Sequence, residues 1–133
     1  MTVGFIGAGS WGTTLAVHVA QRVFPGTESW LLSCSSAEGG HGRWVRYGGG
    51  GYYSGYEYTD AVGGPMQFRP STFRGAYRRA IDYTQHKGFV IERQDWLEAW
   101  LSPLGQALAA GYLRNVDGSS RWHWAASISN GCA

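Results

Sequence analysis

The chain has 133 residues and a formal net charge of +2, and its aromatic residues include seven Trp and eight Tyr. Its length fits one domain with one core, and so small a positive charge argues against a nucleic-acid partner, which calls for a concentrated basic stripe. No apolar run reaches the length of a membrane span, so we expect a soluble protein. No Lys or Arg precedes the apolar start of the chain, and we predict no signal peptide.

The first predicted helix covers residues 13–24, where apolar side chains recur at helical spacing, at Leu15, Val19 and Val23. Pro25 and Gly26 end this helix. A second apolar run begins at Trp30 and continues to Glu38, where two glycines follow. Glu38 is therefore predicted to lie at the C-terminal end of a short, largely buried helix.

Residues 39–64 are rich in Gly, Tyr and Arg, and their interleaved aromatic residues indicate loop and short hairpin strands. Ser71 is the predicted N-cap of a helix that runs to about residue 86. Two more helices are predicted, one over residues 94–101 and one that starts at Ser102 and Pro103 and runs to about residue 113.

These patterns predict one α+β, mostly helical domain over residues 1–133, with residues 1–12 considered as a flexible N-terminal extension. The chain has only two cysteines, Cys34 and Cys132. A bridge between them would close a loop of about a hundred residues and stabilise the fold by roughly 4–5 kcal/mol in the chain-entropy model. Two free, buried thiols are the alternative, and the spacing does not decide between the two.

Glu38 combines two predicted properties that suit a general acid, burial at a helix end and neighbouring glycines that leave open space. Desolvation raises the pKa of a carboxyl group, and a raised pKa keeps the group protonated until a leaving oxygen takes the proton. A solvated glutamate at a helix end is the alternative, and it is the more common one for a glutamate taken alone. The surrounding pattern decides between the two.

Three stretches around Glu38 carry a family likeness. They are C-S-S-A-E-G at residues 34–39, Y-Y-S-G at 52–55 and G-G-P-M-Q-F-R-P-S-T-F at 63–73. This arrangement resembles the lysozyme-like superfamily of peptidoglycan-cleaving enzymes, and within it the resuscitation-promoting-factor and transglycosylase-like branch and its phage-lysin relatives. The likeness covers residues 30–77 and, more weakly, the terminal Gly-Cys.

The resemblance implies a lysozyme-like fold with a small glycine-rich β-hairpin lobe beside the cleft. Glu38 would protonate the glycosidic oxygen, Gln67 would hydrogen-bond substrate from the hairpin strand, and Thr72 would lie at the cleft floor. Cys34 and Cys132 would form the family's disulfide. The implied sugar-stacking or cleft-wall aromatics are Tyr52, Tyr53 and Phe73.

The chain departs from the family pattern in two places. The spacing from Cys34 to Glu38 is longer than the common C-E-S-G form, and residues 56–62 resemble an insertion in the hairpin that contains Glu57 and Asp60. If one of these carboxylates faces Glu38 across the cleft, the enzyme is an inverting hydrolase, and Asp60 is the first candidate. If neither does, a single-acid mechanism fits, in which the substrate's own groups assist and an anhydro-sugar forms.

No metal site and no cofactor is predicted, because the histidines do not fall at metal-ligand spacing with other donors. Arg69 flanks the predicted cleft and would meet carboxylates of the muramyl group or the peptide stem. Solvation at the surface is the alternative for this side chain.

A rival signal lies at the N-terminus, where Gly7, Gly9 and Gly12 match the dinucleotide-binding pattern G-x-G-x-x-G. The stretch resembles the opening of a glycerol-3-phosphate dehydrogenase. No second strand with a terminal acid follows at the usual distance, because Pro25 and a helical run occupy that place. We therefore interpret the match as a chance one, with a dinucleotide-binding fragment as the less favoured alternative.

The function that the resemblance implies is that of a muramidase or lytic transglycosylase acting on the β-1,4 bond between N-acetylmuramic acid and N-acetylglucosamine, with chitin as an alternative substrate. The alternative class of function is a non-catalytic phage-virion or carbohydrate-binding module, which would use its aromatic residues without needing Glu38. The expected partner is the glycan of peptidoglycan, at the cell wall or on a phage virion. The expected assembly is a monomer or a part of a larger virion or multidomain protein.

Overall fold

The computed structural model describes residues 2–3, 10–38, 47–49 and 61–133. In chain order, the elements are β1 (Thr2–Val3), α1 (Ser10–Val23), α2 (Glu28–Ala37), β2 (Tyr47–Gly49), β3 (Ala61–Gly63), α3 (Pro70–His86), β4 (Val90–Ile91), α4 (Trp96–Trp100), α5 (Pro103–Tyr112) and α6 (Ser120–His123). A π-helical turn (Leu113–Asp117) follows α5, and a 3-10 turn (Ala125–Asn130) follows α6. The prediction of a mostly helical fold is confirmed.

Helix α5 lies at the centre of the fold, because it packs against both α1 and α3. It is buried on nearly all sides, and its small residues let the neighbouring elements approach closely. A Cβ atom at Gly111 would lie 2.8 Å from the ring of Phe24, and one at Gly105 would lie 2.2 Å from the carbonyl oxygen of Ala99. The close packing around α5 therefore depends on glycine at both positions.

Helix α3 has one exposed face and one buried face, whose residues recur at helical spacing, at Phe73, Ala76, Tyr77, Ala80, Ile81 and Thr84. The predicted N-cap at Ser71 is wrong, because the helix begins at Pro70 and its N-cap is Arg69. Proline suits the first helical position, where its fixed φ is already helical and its missing N–H has no partner to lose.

The caps of α4 and α5 are made by side chains. Helix α5 starts where predicted, and Ser102 caps it, because its hydroxyl oxygen accepts a hydrogen bond from the backbone N–H of Gly105 at 3.2 Å. Asp95 caps α4 by accepting from the backbone N–H of Leu97 at 3.1 Å. Helix α4 is therefore shorter than predicted and starts after this cap.

Two short strand pairs accompany the helices. Strand β1 pairs in parallel with β4, and β2 pairs antiparallel with β3, with Tyr47 opposite Gly63. Helix α1 begins at Ser10, within the stretch considered as an N-terminal extension. The antiparallel pair lies where the glycine-rich hairpin is predicted, and residues 50–60 between its strands lie outside the described residues.

A disulfide joins α2 to the end of the chain. Cys34 and Cys132 are both fully buried, with their sulfur atoms 2.05 Å apart across a sequence separation of 98. Beside the bridge, the hydroxyl of Ser33 donates a hydrogen bond to the carbonyl oxygen of Gly131 at 2.6 Å. The disulfide that the family resemblance implies is therefore present, and the two cysteines are not free thiols.

Candidate functional site

Glu38 is the C-cap residue of α2, and its backbone N–H donates to the carbonyl oxygen of Cys34 at 2.9 Å. Its side chain is half-buried. Burial raises the pKa of this carboxyl above its ordinary value, and a hydrogen bond from Ser127 opposes the rise in part. The negative end of the helix dipole acts in the same direction as burial, because it disfavours a carboxylate. The environment of Glu38 therefore favours the protonated acid.

Ser127, the hydrogen-bond partner of Glu38, lies near the far end of the chain. It belongs to residues 120–132, which we call the C-terminal segment. This segment packs against α2, and the disulfide fixes its end. Its Trp124 ring meets the Trp30 ring of α2 edge-on, with 5.5 Å between the ring centroids. Ser127 was not predicted as a site residue, although a disulfide between Cys34 and Cys132 would indicate that the end of the chain lies beside α2.

Gln67 lies in a tight turn at residues 63–68, called the 63–68 turn below. At its ends, Gly63 and Phe68 exchange two backbone hydrogen bonds of 3.1 Å each. Gln67 has a φ of 51°, which is uncommon for a residue with a side chain, and its Nε2 donates to the carbonyl oxygen of Gly64 at 2.8 Å. Strained backbone of this kind persists only where the surrounding structure holds it, and such places cluster at functional sites.

Gln106 of α5 is fully buried against this turn and holds it with its amide group. The Nε2 atom donates to the carbonyl oxygens of Gly63 at 3.1 Å and Trp100 at 2.8 Å. The Oε1 atom accepts from the backbone N–H of Met66 at 3.2 Å. A Cβ atom at Gly64 would lie 2.4 Å from the Gln106 amide, so this contact requires glycine.

Two buried tryptophans complete the support of the 63–68 turn. The indole N–H of Trp100 donates to the carbonyl oxygen of Phe68 at 2.9 Å, and that of Trp124 donates to the carbonyl oxygen of Met66 at 2.8 Å. Each indole thus satisfies its own donor and a backbone acceptor that burial would otherwise leave unpaired. The turn is therefore held in one backbone conformation by side chains from α4, α5 and the C-terminal segment.

Gln67 and Thr72 line one cavity of about 150 Å³, together with Met66, Phe68, Arg69, His123 and Trp124. Two residues that the resemblance assigns to substrate binding therefore lie side by side. Small-molecule sites usually have volumes of roughly 300–1,000 Å³, so this cavity has room for a part of a ligand and not for a whole one.

His123 also lines this cavity, a position that the metal-ligand spacing of the histidines did not indicate. Burial lowers the pKa of its imidazole, the carboxylate of Asp117 opposes this change, and the guanidinium of Arg79 reinforces it. The ring is therefore neutral at neutral pH and offers both a donor and an acceptor. Next to it, Trp122 is 78% exposed, and its ring lies 4.7 Å from the His123 ring.

The other predicted site residues fall into two groups. Phe73 is fully buried, where its ring stacks on Tyr77 and meets Phe68 edge-on, each at 5.4 Å between centroids. A ring without exposed surface cannot stack on a sugar, so Phe73 is a core residue and not a cleft-wall aromatic. The residues that lie outside the described part of the chain are Tyr52, Tyr53, Glu57 and Asp60.

The C-terminal segment connects Glu38 with the cavity beside the 63–68 turn. Its Trp124 lines the cavity, and its Ser127, three residues later, hydrogen-bonds the carboxyl of Glu38. The backbone N–H of Ser127 also donates to the carbonyl oxygen of Trp124 at 3.0 Å. The C-terminal segment therefore contacts both the candidate acid and the cavity lined by the candidate substrate-binding residues.

Within the described ranges, no group of three or more His, Cys, Asp or Glu side chains is placed to hold a metal ion. No helix in this part of the chain has the length and apolar character needed to cross a membrane. Both cysteines are taken by the disulfide, so neither thiol serves as a nucleophile or a ligand.

The N-terminal glycine pattern has a strand before it, and its last glycine lies within a helix. Strand β1 precedes the pattern, Gly12 lies inside α1, and Gly7 and Gly9 lie outside the described residues. The next element is the helix α2, where a dinucleotide-binding unit would place its second strand. The parallel pairing of β1 with β4 joins two strands of two residues each.

Comparisons with known proteins do not assign the chain to a family: no protein-family model matches it, and neither does any curated protein or any solved structure. The candidate site therefore rests on the residues around Glu38 and the 63–68 turn alone.

Proposed function

We propose that the protein is a peptidoglycan-cleaving glycosidase, a muramidase or a lytic transglycosylase, with a lysozyme-like fold and Glu38 as its general acid. The observation that carries this proposal is the half-buried carboxyl of Glu38 at the end of α2, with its pKa raised by burial. A general acid must still hold its proton at the working pH when the leaving oxygen needs it, and a raised pKa favours that protonated state. The mostly helical fold and the buried disulfide support the family resemblance.

In this mechanism, Glu38 protonates the glycosidic oxygen of the β-1,4 bond between N-acetylmuramic acid and N-acetylglucosamine as the bond breaks. The hydroxyl of Ser127 donates to the Glu38 carboxyl and so orients it. Asp60 is the proposed base for an attacking water in an inverting hydrolysis. Without such a base, the substrate's own groups assist, and the product carries an anhydro-sugar end.

Substrate binding is assigned to the cavity beside the 63–68 turn. Gln67, Thr72 and the neutral ring of His123 supply hydrogen-bonding groups, and the exposed Arg69 suits a muramyl or peptide-stem carboxylate. Trp122 presents an exposed aromatic face that suits the apolar face of a sugar ring. Two further sugar-stacking residues are proposed from the resemblance alone, Tyr52 and Tyr53.

The proposed partner is the glycan strand of peptidoglycan, with chitin as an alternative substrate. The proposed location is the cell wall or a phage virion, and the buried disulfide is compatible with the oxidising conditions found outside the cytosol. The proposed assembly is a monomer or a part of a larger virion or multidomain protein.

The test measures the clearing of purified cell walls by the wild type, Glu38→Gln and Glu28→Gln. Glu28 lies in the first turn of α2, so its variant makes the same chemical change on the same helix at the other end. We expect the wild type and Glu28→Gln to clear the walls and Glu38→Gln to be slower by at least about a hundredfold, the usual contribution of a general acid. Mass spectrometry of the released muropeptides then distinguishes the two reactions. Transglycosylation leaves anhydro ends, and hydrolysis leaves reducing ends.

Each competing function predicts a different result. Equal clearing by the wild type and Glu38→Gln would remove the catalytic assignment. Binding to cell walls without any clearing would favour the carbohydrate-binding module. Saturable quenching of NADH fluorescence, with neither clearing nor binding of walls, would favour the dinucleotide-binding fragment.

A further inference from the structure

A second cavity lies against α3 and shares no lining residue with the cavity beside the 63–68 turn. Its volume is about 480 Å³, which falls within the range of small-molecule sites. Helix α3 forms one wall, and the chain between β4 and α4 forms the other. Its lining residues are Arg74, Gly75, Tyr77, Arg78, Arg93, Gln94, Asp95 and Trp96. We call this cavity the arginine groove.

The walls of the arginine groove are joined by direct contacts. The backbone N–H of Gln94 donates to the hydroxyl oxygen of Tyr77 at 3.0 Å, and the Tyr77 ring is anchored in the core by stacking on Phe73. The guanidinium of Arg74 lies 4.8 Å above the Trp96 ring and so connects α3 with α4. The groove therefore exists as a shaped site before any ligand arrives.

Positive charge dominates the arginine groove, since three of its eight lining residues are arginines and one is an aspartate. Arg74 and Arg78 lie four residues apart on the exposed face of α3, where like charges repel each other. Arg93 pairs with the exposed carboxylate of Asp82. Among the described residues, no carboxylate pairs with Arg78, so its guanidinium is available to a ligand.

The hydroxyl of Tyr77 adds a donor to the groove. Its oxygen already accepts from Gln94, so its hydrogen is left for an acceptor. A phenol keeps this hydrogen at neutral pH, and burial raises the pKa of Tyr77 further above its ordinary value. Two guanidinium groups and a phenol on the lining of one groove thus suit a ligand that supplies acceptors and negative charge.

We propose that the arginine groove binds a small multivalent oxyanion, either a phosphate ester or a dicarboxylate, through Arg74, Arg78 and Tyr77. Phosphate and carboxylate oxygens match the two parallel N–H groups of a guanidinium. A bound anion also relieves the repulsion between Arg74 and Arg78. This site is separate from Glu38 and does not depend on the proposed glycosidase activity.

The test titrates inorganic phosphate, and separately succinate, into the ¹⁵N-labelled protein at constant ionic strength, with the backbone N–H of Gln94 and the indole N–H of Trp96 as reporters. Variant Arg78→Gln is compared with Arg121→Gln, which removes an equal charge from an exposed residue of α6 outside the groove. We expect saturable shifts, weakened about tenfold by Arg78→Gln and unchanged by Arg121→Gln. Variant Arg78→Lys keeps the positive charge but lacks the two parallel N–H groups of a guanidinium. We expect its affinity for the anion to lie between those of Arg78→Gln and Arg121→Gln.

The two ligands identify the anion, because the one that binds more tightly shows whether the groove prefers phosphate or carboxylate. Shifts that do not saturate with either ligand would overturn the proposal. Equal weakening by Arg78→Gln and Arg121→Gln would also overturn it, since that result would report the net charge of the protein and not a site. Circular dichroism of each variant checks that α3 stays folded. Wall clearing is not used as a readout, so this test and that of Glu38 fail independently.

Discussion

The 63–68 turn and the end of α2 both contact the C-terminal segment, yet they are held in different ways. The turn makes four hydrogen bonds with the buried side chains of Gln106, Trp100 and Trp124, three as acceptor and one as donor. Helix α2 is joined to the C-terminal segment by the disulfide at Cys34, by a ring contact of Trp30 in its first turn and by the hydroxyl of Ser127 at Glu38. The turn is held by several separate hydrogen bonds, and the end of α2 is held mainly by one covalent link.

This difference matches what the two regions are proposed to do. A turn that positions substrate must keep its backbone in one place, because small displacements of a binding group cost much of its effect. A general acid needs a carboxyl whose charged form is disfavoured, and partial burial supplies this without many bonds. The two regions are therefore expected to respond differently to mutation.

The largest effect is expected from removing the disulfide in the double variant Cys34→Ala/Cys132→Ala. Closure of a loop of 98 residues contributes about 4–5 kcal/mol in the chain-entropy model, so the free energy of unfolding should fall by about this amount. Urea unfolding followed by Trp fluorescence measures the change. The oxidised and the chemically reduced wild type serve as controls, and equal urea midpoints for these two would contradict the prediction.

The next effect is expected from Gly64→Ala, which acts on the turn and not on α2. Gly64 has a φ of +76°, and a Cβ atom there would lie 2.4 Å from the amide of Gln106. The left-handed conformation costs about 1 kcal/mol and the overpacking about 2 kcal/mol, so we expect a loss of about 3 kcal/mol. Thermal or urea unfolding measures it.

Gly88→Ala is the matched control for this variant. Gly88 also has a positive φ, +93°, but a Cβ atom there would meet no atom within 4 Å. Its variant should therefore lose only the conformational part, about 1 kcal/mol. If Gly64→Ala and Gly88→Ala are equally stable, the contact with Gln106 does not hold the turn.

The helices were predictable where a local pattern sets their limits. Ser102 caps α5 at the predicted residue because the signal, a serine followed by proline, acts within one turn of helix. Ser71 failed as a cap because Pro70 can already occupy the first helical position. The burial of Phe73 could also have been predicted from the sequence, since Tyr77 and Ile81 continue the same apolar stripe along α3.

Only those residues of the candidate site whose positions depend on nearby sequence were predictable. Glu38 ends α2 where two glycines follow, and Gln67 and Thr72 lie close together in the chain as well as in the cavity. His123 and Ser127 come from the far end of the chain, and no local pattern connects them with residues so distant in sequence. Their positions depend on tertiary packing, for which the cysteine pair was the available signal.

The smallest of these effects concerns the pKa of Glu38 and its dependence on Ser127. Because burial raises the folded-state pKa above the unfolded-state value, the folded protein holds this proton more tightly. The resulting stabilisation is fully present below the unfolded-state pKa and is lost as the pH rises through the folded-state pKa. The hydrogen bond from Ser127 favours the carboxylate, so removing it should raise the folded-state pKa further.

Variant Ser127→Ala isolates this hydrogen bond, and Ser129→Ala changes an exposed serine of the same 3-10 turn as a control. We expect the NMR titration of the Glu38 side-chain carboxyl carbon to move to higher pH in Ser127→Ala and to stay in place in Ser129→Ala. If Glu38 is the acid, the alkaline limit of wall clearing should move in the same direction, because the acid stays protonated to a higher pH. An unchanged or lowered midpoint in Ser127→Ala would show that the hydroxyl does not act on the carboxyl, and that burial and the end of α2 alone set its pKa.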